Sequence, residues 1–148
     1  MLLTIELLTP ERKVFEKTAD IITAPTPMGE ISILPEHQNL VTLLSPGVIE
    51  LKSNVEGRVV IETLSTTGGV LEVQHPNHIL ILSDAAERAE EIDLKRAEEA
   101  RERAKKIMDQ AFTDDVKYTD ALGALERSIA RLRVARRHRS HKSTLPQE

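Results

Sequence analysis

The sequence predicts an α+β protein in which a domain of short β-strands precedes an antiparallel hairpin of two helices. Up to Ser83, apolar residues occur in short β-branched runs or alternate with polar residues, and Gly or Pro interrupts them at short intervals. From Ala85 onward they are mostly alanines at helical spacing among charged residues. We therefore divide the chain into a strand domain (1–84), a helical hairpin (85–137) and a basic, polar, flexible tail (138–148).

The first 84 residues contain nine segments with the character of a strand, spaced as in an all-β sandwich or barrel. They are rich in Val and Ile, whose branched side chains favour a pleated, half-buried surface. The segments are Leu2–Leu8, Lys13–Lys17, Ala19–Ala24, Gly29–Leu34, Leu40–Leu44, Gly47–Lys52, Arg58–Leu64, Gly69–Gln74 and His78–Ser83.

Two helices follow, at about Glu90–Ala111 and Lys117–Arg137, separated by a break at 112–115 where Thr113, Asp114 or Asp115 can cap the second helix. The first helix has a stripe made mainly of alanine. In the second helix we expect one buried face, which consists of Tyr118, Ala121, Leu122, Leu125, Ile129 and Leu132. Because each alanine buries little more than a methyl group, we expect a weakly docked hairpin that can open; a static hairpin is the alternative.

Composition argues against several classes of protein. Aromatic residues make up only 2% of the chain and there is no Trp, so a stacking platform for single-stranded nucleic acid is not expected. We find neither a signal peptide nor an apolar run near 18 residues, which favours a soluble, cytoplasmic protein. Cys is absent, as are the phosphate-loop, GxSxG and HExxH motifs, and catalysis by this chain is not expected. His75 and His78 flank a Pro-Asn pair that favours a turn over a metal site.

Charge is distributed unevenly along the chain. Residues 1–84 hold five Lys or Arg against eleven Asp or Glu, whereas residues 127–142 hold seven Lys or Arg and no acid. Such a basic end on an acidic protein suggests an acidic partner. A solvated helix terminus, where cations suit the helix dipole, explains the same pattern without a partner.

The segment from Glu87 to Arg103 can hold a phosphorylated ligand. Arg96 and Arg103 lie near the alanine stripe, and Asp93 in the first turn can accept hydrogen bonds from a base or ribose. Arg127 and Arg131, four residues apart on the second helix, present two guanidinium groups suited to phosphate oxygens. In the alternative interpretation Asp93 only caps the helix and the arginines form a solvated face.

Several motifs together resemble the epsilon subunit of bacterial F-type ATP synthase. The resemblance covers about residues 2–136 in order and does not extend to the tail. It rests on TPERKVFE (9–16), ITAPTPMGEISILPEHQNLVTLLSPGVIEL (22–51), GGVLEV (68–73) and ILSDAAERAEEIDLKRA (81–97).

The resemblance implies a ten-stranded β-sandwich followed by the two-helix hairpin, in a non-catalytic rotor subunit of the central stalk. In that family the sandwich binds the gamma subunit and the membrane ring of c subunits, which couples proton flow to ATP synthesis. Glu30 corresponds to a position near the polar loops of the c-ring and His37 to one on the side facing gamma. A turn carboxylate and a capped loop histidine are the alternatives.

The family's hairpin also regulates. In the compact state it lies against the sandwich, and in the extended state it blocks rotation in the direction of hydrolysis. The basic run that includes Arg133, Arg136 and Arg137 then has a target in acidic loops of the catalytic beta subunits.

In some members ATP binds the compact hairpin through an I/L-D-x-x-R-A motif, an upstream glutamate and helical arginines. The corresponding residues here are Glu87, Ile92, Asp93, Arg96, Ala97, Arg103, Arg127 and Arg131.

The resemblance therefore implies ATP as a regulatory ligand and no cofactor or metal. It implies a peripheral location on the cytoplasmic face of the bacterial plasma membrane, with the membrane reached only through the complex. A free-standing ATP-sensing module remains the alternative, and co-purification with gamma and beta subunits separates the two.

Overall fold

The computed structural model of the protein describes the backbone of residues 1–111 and 113–143, with side chains except those of residues 90 and 138–143. Ten strands come first and two helices follow, so the predicted α+β fold class is confirmed. The strands are β1 Leu3–Leu8, β2 Lys13–Ala19, β3 Ile21–Thr26, β4 Gly29–Ile33, β5 Leu40–Leu44, β6 Gly47–Val55, β7 Arg58–Thr66, β8 Gly69–Gln74, β9 His78–Leu82 and β10 Ala86–Arg88.

The strands form two five-stranded sheets that pack face to face. The first sheet has the order β2-β1-β9-β8-β5 and the second the order β10-β7-β6-β3-β4. Neighbouring strands are antiparallel except β1 and β9, which run parallel with Thr4 opposite His78 and Leu8 opposite Leu82. The N-terminal strand therefore lies inside the first sheet, between β2 and β9.

The core lies between the sheets because the strands alternate buried and more exposed residues, as in β1, where Leu3, Ile5 and Leu7 are fully buried. Ile22, Ile49, Leu71, Ile79 and Ile81 from the other strands complete the centre of this core. Every buried residue of this cluster lies between Leu3 and Ala86, so the sandwich contains its own core.

Gly69 opens β8 at a point where a side chain cannot fit. Its φ is +134°, and a Cβ built there would lie 2.0 Å from the carbonyl oxygen of Leu82. Gly57, in the turn between β6 and β7, also has a positive φ, of +80°, but nothing lies within 4 Å of a Cβ built on it. Of these two positions, only residue 69 must be glycine because of the close approach of another backbone segment.

The chain leaves the sandwich through a short 3-10 turn at Ala89–Glu91 and continues into α1, Leu94–Gln110, and α2, Asp115–Ser143. Asp93 is the N-cap of α1, and its Oδ1 accepts hydrogen bonds from the backbone N–H groups of Lys95 (3.0 Å) and Arg96 (3.2 Å). Asp114 accepts from the N–H of Lys117 in the same way at the start of α2. The two helices pack against each other, and α2 also packs on β6 and β7.

Most predicted element bounds are within a few residues of those in the structure, and three differences matter for the site. The sequence pattern alone misses β10, a strand of three residues whose Ala-Glu-Arg composition has no β-branched side chain. It starts α1 four residues early, because Asp93 takes an extended conformation and caps the helix there. It ends the second helix at Arg137, whereas α2 continues to Ser143; the last part of the predicted tail, residues 144–148, lies outside the described residues.

The predicted buried face of α2 is only partly right. Ala121 and Leu132 are buried, but Tyr118 and Leu122 are exposed. The buried set also contains Ser128, Ala130, Val134 and Ala135. Because α2 lies between α1 and the sandwich, it buries residues on more than one side, and a single amphipathic stripe does not describe it.

Candidate functional site

A cleft of about 290 Å³ lies where the sandwich meets the hairpin. Its walls come from β10, the 3-10 turn, the first turns of α1, and α2. The lining residues are Glu87, Glu91, Ile92, Asp93, Arg96, Ala97, Ala100, Arg103 and Arg131. Seven of the eight residues proposed from sequence as a ligand site are thus brought to one place, although they span 44 positions of the chain from Glu87 to Arg131.

Asp93 caps α1 and still keeps an oxygen for a ligand. The backbone N–H groups of Lys95 and Arg96 both donate to Oδ1 of Asp93. In the described part of the chain, Oδ2 therefore has no hydrogen-bond donor. An ionised carboxylate can accept several hydrogen bonds. The capping role that sequence offered as an alternative is therefore present, and it is compatible with a second role facing the cleft.

Arg131 links the second helix to the sandwich across the cleft. Its Nη2 donates to Oε1 of Glu87 at 2.8 Å, and both side chains are half-buried. A guanidinium carries five N–H donors, so this bond leaves others available to a ligand. Arg131 therefore both contributes a wall of the cleft and joins α2 to β10.

Arg127 is the one predicted ligand residue outside the cleft. It is exposed and borders a much smaller adjoining cavity of about 10 Å³, together with Glu87 and Arg131. Its Nη1 lies over Gly123, 3.2 Å from where a Cβ on that glycine would be. In this conformation the guanidinium lies outside the cleft.

Two guanidinium groups at the cleft have no ion-pair partner among the described side chains and are available to an anion. Arg96 and Arg103 are exposed at its walls and, among the described side chains, neither lies within 4.0 Å of a carboxylate oxygen. Glu87 is paired with Arg131, and Oε2 of Glu91 lies 4.0 Å from Nη2 of Arg12. The unpaired guanidinium groups are the ones suited to phosphate oxygens.

α1 contributes two small side chains to the wall of the cleft. Ala97 is buried and Ala100 is half-buried, so a flat ring can approach the helix closely between the charged residues. Ala100 and Glu91 line the cleft but are not among the residues proposed from sequence for the site. Glu91 sits one residue before the I-D-x-x-R-A motif, and nothing in the helical periodicity of the sequence points to its position on the cleft.

The residues proposed from sequence for partner contacts lie elsewhere and are not brought together. Glu30 is exposed in β4, and His37 is half-buried in the loop before β5, with Nδ1 2.8 Å from the carbonyl oxygen of Gln38. Arg133 and Arg136 are exposed on α2. Arg137 donates to Oε1 of Glu50 in β6, which ties the end of α2 to the sandwich.

No group of three or more His, Asp and Glu side chains is placed to hold a metal ion in residues 1–111 and 113–137. Within the described chain, neither helix is long and apolar enough to cross a bilayer.

Two family models match the chain and together cover most of it. The first, "ATP synthase, Delta/Epsilon chain, beta-sandwich domain", matches residues 2–89. The second, "ATP synthase, Delta/Epsilon chain, long alpha-helix domain", matches residues 90–136. The junction between the two models falls within the 3-10 turn that connects the sandwich to the hairpin.

Relatives from several bacteria match over almost their whole length. The ATP synthase epsilon chain of Dehalococcoides mccartyi (strain CBDB1) is 38% identical over 139 residues, 94% of this chain and 96% of the relative. That of Herpetosiphon aurantiacus is 39% identical over 141 residues, 95% and 98% of the two chains. That of Neisseria meningitidis serogroup C is 38% identical over the same coverage.

Two solved structures have a similar fold. A chain of the Euglena gracilis mitochondrial ATP synthase (OSCP/F1/c-ring) has a TM-score of 0.76 and 24% identity, with 90% of this chain and 81% of that one covered. A chain of the Tetrahymena thermophila mitochondrial ATP synthase (central stalk/c-ring) has a TM-score of 0.50 and 22% identity, with 60% and 68% covered.

Proposed function

The chain belongs to the delta/epsilon chain family of ATP synthase, and from that membership we propose that it is a regulatory subunit of the central stalk. It is a stalk subunit that is not itself catalytic. The sandwich binds the gamma subunit and the c-ring of a proton-translocating enzyme at the cytoplasmic face of the bacterial plasma membrane. The hairpin inhibits ATP hydrolysis when it extends, and ATP favours its compact state.

An exposed apolar surface supports the contact with gamma. On the outer face of the first sheet Leu43 is 61% exposed and lies opposite Val70, which lies opposite Leu82, 47% exposed. Val41, also on the edge strand β5, is 68% exposed. A contiguous apolar patch of this kind is typical of a protein interface. His37 lies in the loop that leads into β5, consistent with its assignment to the gamma-facing side.

The hairpin of β3 and β4 supports a second contact. Met28 at its tip is 96% exposed, and Glu30 lies two residues further along, exposed at the start of β4. A protruding loop with one apolar and one acidic side chain can reach the polar loops of the c-ring. We assign Glu30 to that contact.

The cleft between β10, α1 and α2 is the observation that carries the regulatory proposal. Its residues come from the sandwich and from both helices, so a ligand bound there contacts all three and is lost when the hairpin extends. Such a ligand stabilises the compact state in proportion to its occupancy. At about 100 times its dissociation constant it adds about 2.7 kcal/mol to that state.

The basic residues of α2 serve the extended state in this proposal. In the compact state Arg137 is bonded to Glu50, and Arg133 and Arg136 are exposed. When the hairpin leaves the sandwich, all three become available to acidic loops of the catalytic beta subunits. The contact with Glu50 thus competes with the contact that inhibits hydrolysis.

An ATP titration of the isolated protein, followed by backbone NMR, tests the proposal. We expect saturable shifts of amides in β10, α1 and α2, and their loss in the Arg127→Ala/Arg131→Ala double variant. A titration without saturation at millimolar ATP would leave a stalk subunit whose hairpin does not sense ATP. Co-purification with gamma and beta subunits from membranes tests the stalk assignment separately, and its failure would favour a free-standing ATP-binding module.

A further inference from the structure

A second groove, lined by a separate set of residues, has no part in the proposed ATP response. It has a volume of about 340 Å³ and lies where β7 and β2, on facing sheets, leave the core open. The short β10 pairs only with Leu64–Thr66 of β7, so the edge of β7 before Leu64 is uncovered on that side. The volume is near the lower end of the roughly 300–1,000 Å³ that small-molecule sites occupy.

The floor of the groove is apolar. Phe15, Leu51 and Leu64 are core residues that reach it from both sheets, and each is buried to at least nine-tenths. Val60, 42% exposed, forms part of the rim. A short hydrocarbon or aromatic body bound here would cover apolar surface that the sandwich leaves open.

The rim carries an excess of positive charge. Lys17 on β2 is paired with Glu62 on β7, and the two charges offset each other. Arg88, at the end of β10, is half-buried and has no hydrogen-bond or ion-pair partner among the described side chains. An arginine that is partly desolvated and unpaired attracts an anion, and its planar guanidinium matches a carboxylate in a two-bond geometry.

The strand register places Arg88 on the groove side. Arg88 lies opposite Leu64 in the ladder between β10 and β7, so the two side chains share the inner face of the second sheet. The side chain of Thr63, one residue before Leu64, lies on the other face, opposite Glu50 and on the side where α2 packs.

We propose that this groove binds a small amphipathic monocarboxylate, with the carboxylate on Arg88 and the apolar body over Phe15, Leu51 and Leu64. The groove lies on the side where β10 leads into the 3-10 turn, and its residues other than Arg88 and Ala89 belong to β2, β6 and β7. None of its residues lines the ATP cleft. The two sites are therefore separable by mutation.

A titration of the full chain with sodium octanoate, below its critical micelle concentration, tests this. We expect saturable NMR shifts centred on the amides of residues 60–64, 88 and 15–17, with no comparable shifts in α1. Octanol, which has the same body without the charge, and inorganic phosphate, which has charge without the body, are each expected to bind at least about tenfold more weakly.

Three variants complete the test. Arg88→Leu is expected to weaken octanoate binding about tenfold or more, and Thr63→Val, at a side chain on the opposite face of β7, to leave it unchanged. Arg58→Leu, on β7 but outside the groove, is expected to bind like the wild type, and unshifted core amides such as that of Ile5 report that each variant is folded. The proposal is overturned if octanoate gives no saturable shifts at the groove, if Arg88→Leu binds as tightly as Arg58→Leu, or if octanol binds as tightly as octanoate.

Discussion

Arg131 illustrates how one side chain can serve both a ligand and a fold. Its bond to Glu87 at 2.8 Å joins α2 to β10, and the same guanidinium lines the cleft. Arg127, four residues earlier on α2, borders the cleft region without making that bond. The two arginines were indistinguishable in the sequence, because their spacing predicts a common face but not which of them meets a carboxylate on the sandwich.

The distinction leads to different effects of the two alanine variants. Arg127→Ala is expected to weaken ATP binding about tenfold, through the loss of one charged hydrogen bond, and to leave the ligand-free hairpin unchanged. Arg131→Ala is expected to weaken ATP binding by at least as much and also to speed amide exchange in α2 without ATP, because Glu87 loses its partner. Calorimetry and hydrogen exchange measure the two effects, with the exposed Arg133→Ala as control. Equal exchange in Arg127→Ala and Arg131→Ala would show that the bond to Glu87 does not hold the helix.

Two glycines with positive φ separate conformational strain from steric conflict. Gly57→Ala places a Cβ in open space and is expected to lower the free energy of unfolding by about 1–2 kcal/mol, the cost of a left-handed conformation. Gly69→Ala adds a collision with the backbone of Leu82 and is expected to cost clearly more. Urea unfolding of both variants tests this, and equal losses would mean that the strand relaxes around the added methyl group.

At the scale of elements, the hydrophobic periodicity of the sequence and the Gly and Pro residues between its segments predict most of the fold. All nine predicted strands are present, because alternation and β-branched residues mark a surface that is buried on one side. The tenth, β10, is held by its ladder to β7 and its buried Ala86, which are tertiary features without a local signal. The same reason explains α2, whose burial by two different neighbours cannot be read from one helical stripe.

The candidate site was predictable to a similar extent. The family motif marks most of the residues that line the cleft. The fold brings these residues together with Glu87 and Arg131, which bond to each other across the cleft. Glu91 and the outward position of Arg127 depend on where the 3-10 turn ends and α1 begins. That boundary is set by the N-cap at Asp93. Acidic residues also precede Asp93, and helical periodicity alone does not show at which of them the helix begins.

Docking of α2 on the sandwich depends on a small apolar cluster. Val134 is fully buried there against Val48 and Ala89, apart from the main core. Val134→Ala removes two buried methyl groups and is expected to weaken docking by about 2 kcal/mol. Hydrogen exchange should then accelerate in α2 and remain slow in β1.

Leu122→Ala, at a position 38% exposed on the same helix, is the matched control for that experiment. It should leave exchange in α2 close to that of the wild type. If hydrogen exchange accelerates in both β1 and α2 of Val134→Ala, the hairpin and the sandwich form one cooperative unit. The proposed opening of the hairpin alone would then be wrong.

At the scale of the whole molecule, the sandwich and the hairpin depend on each other unequally. The main core uses no residue beyond Ala86, whereas α2 buries Val134 against Val48 of the sandwich. A chain that ends at Ala89 is therefore expected to unfold cooperatively as a sandwich and to bind no ATP. Returned to the rest of the enzyme, it should support assembly and give a hydrolysis rate higher than that with the full chain.

Circular dichroism during thermal unfolding, together with ATPase assays of the reassembled enzyme, checks both parts of that expectation. A shortened chain that fails to unfold cooperatively would contradict the independence of the sandwich. An unchanged hydrolysis rate would contradict the inhibitory role of the hairpin while leaving the stalk assignment intact.

The parallel pairing of β1 with β9 also sets the order in which the molecule can be completed during its synthesis. β1 emerges first and can form its hairpin with β2 at once, but its other edge stays open until residue 82 has been made. At about 5–20 residues per second, that interval is roughly 4–15 s, far longer than the time a strand pair needs to form. The nascent protein therefore carries an apolar strand with one open edge until β9 has been made, and the helices, made after the strands, reach a surface that has only just closed.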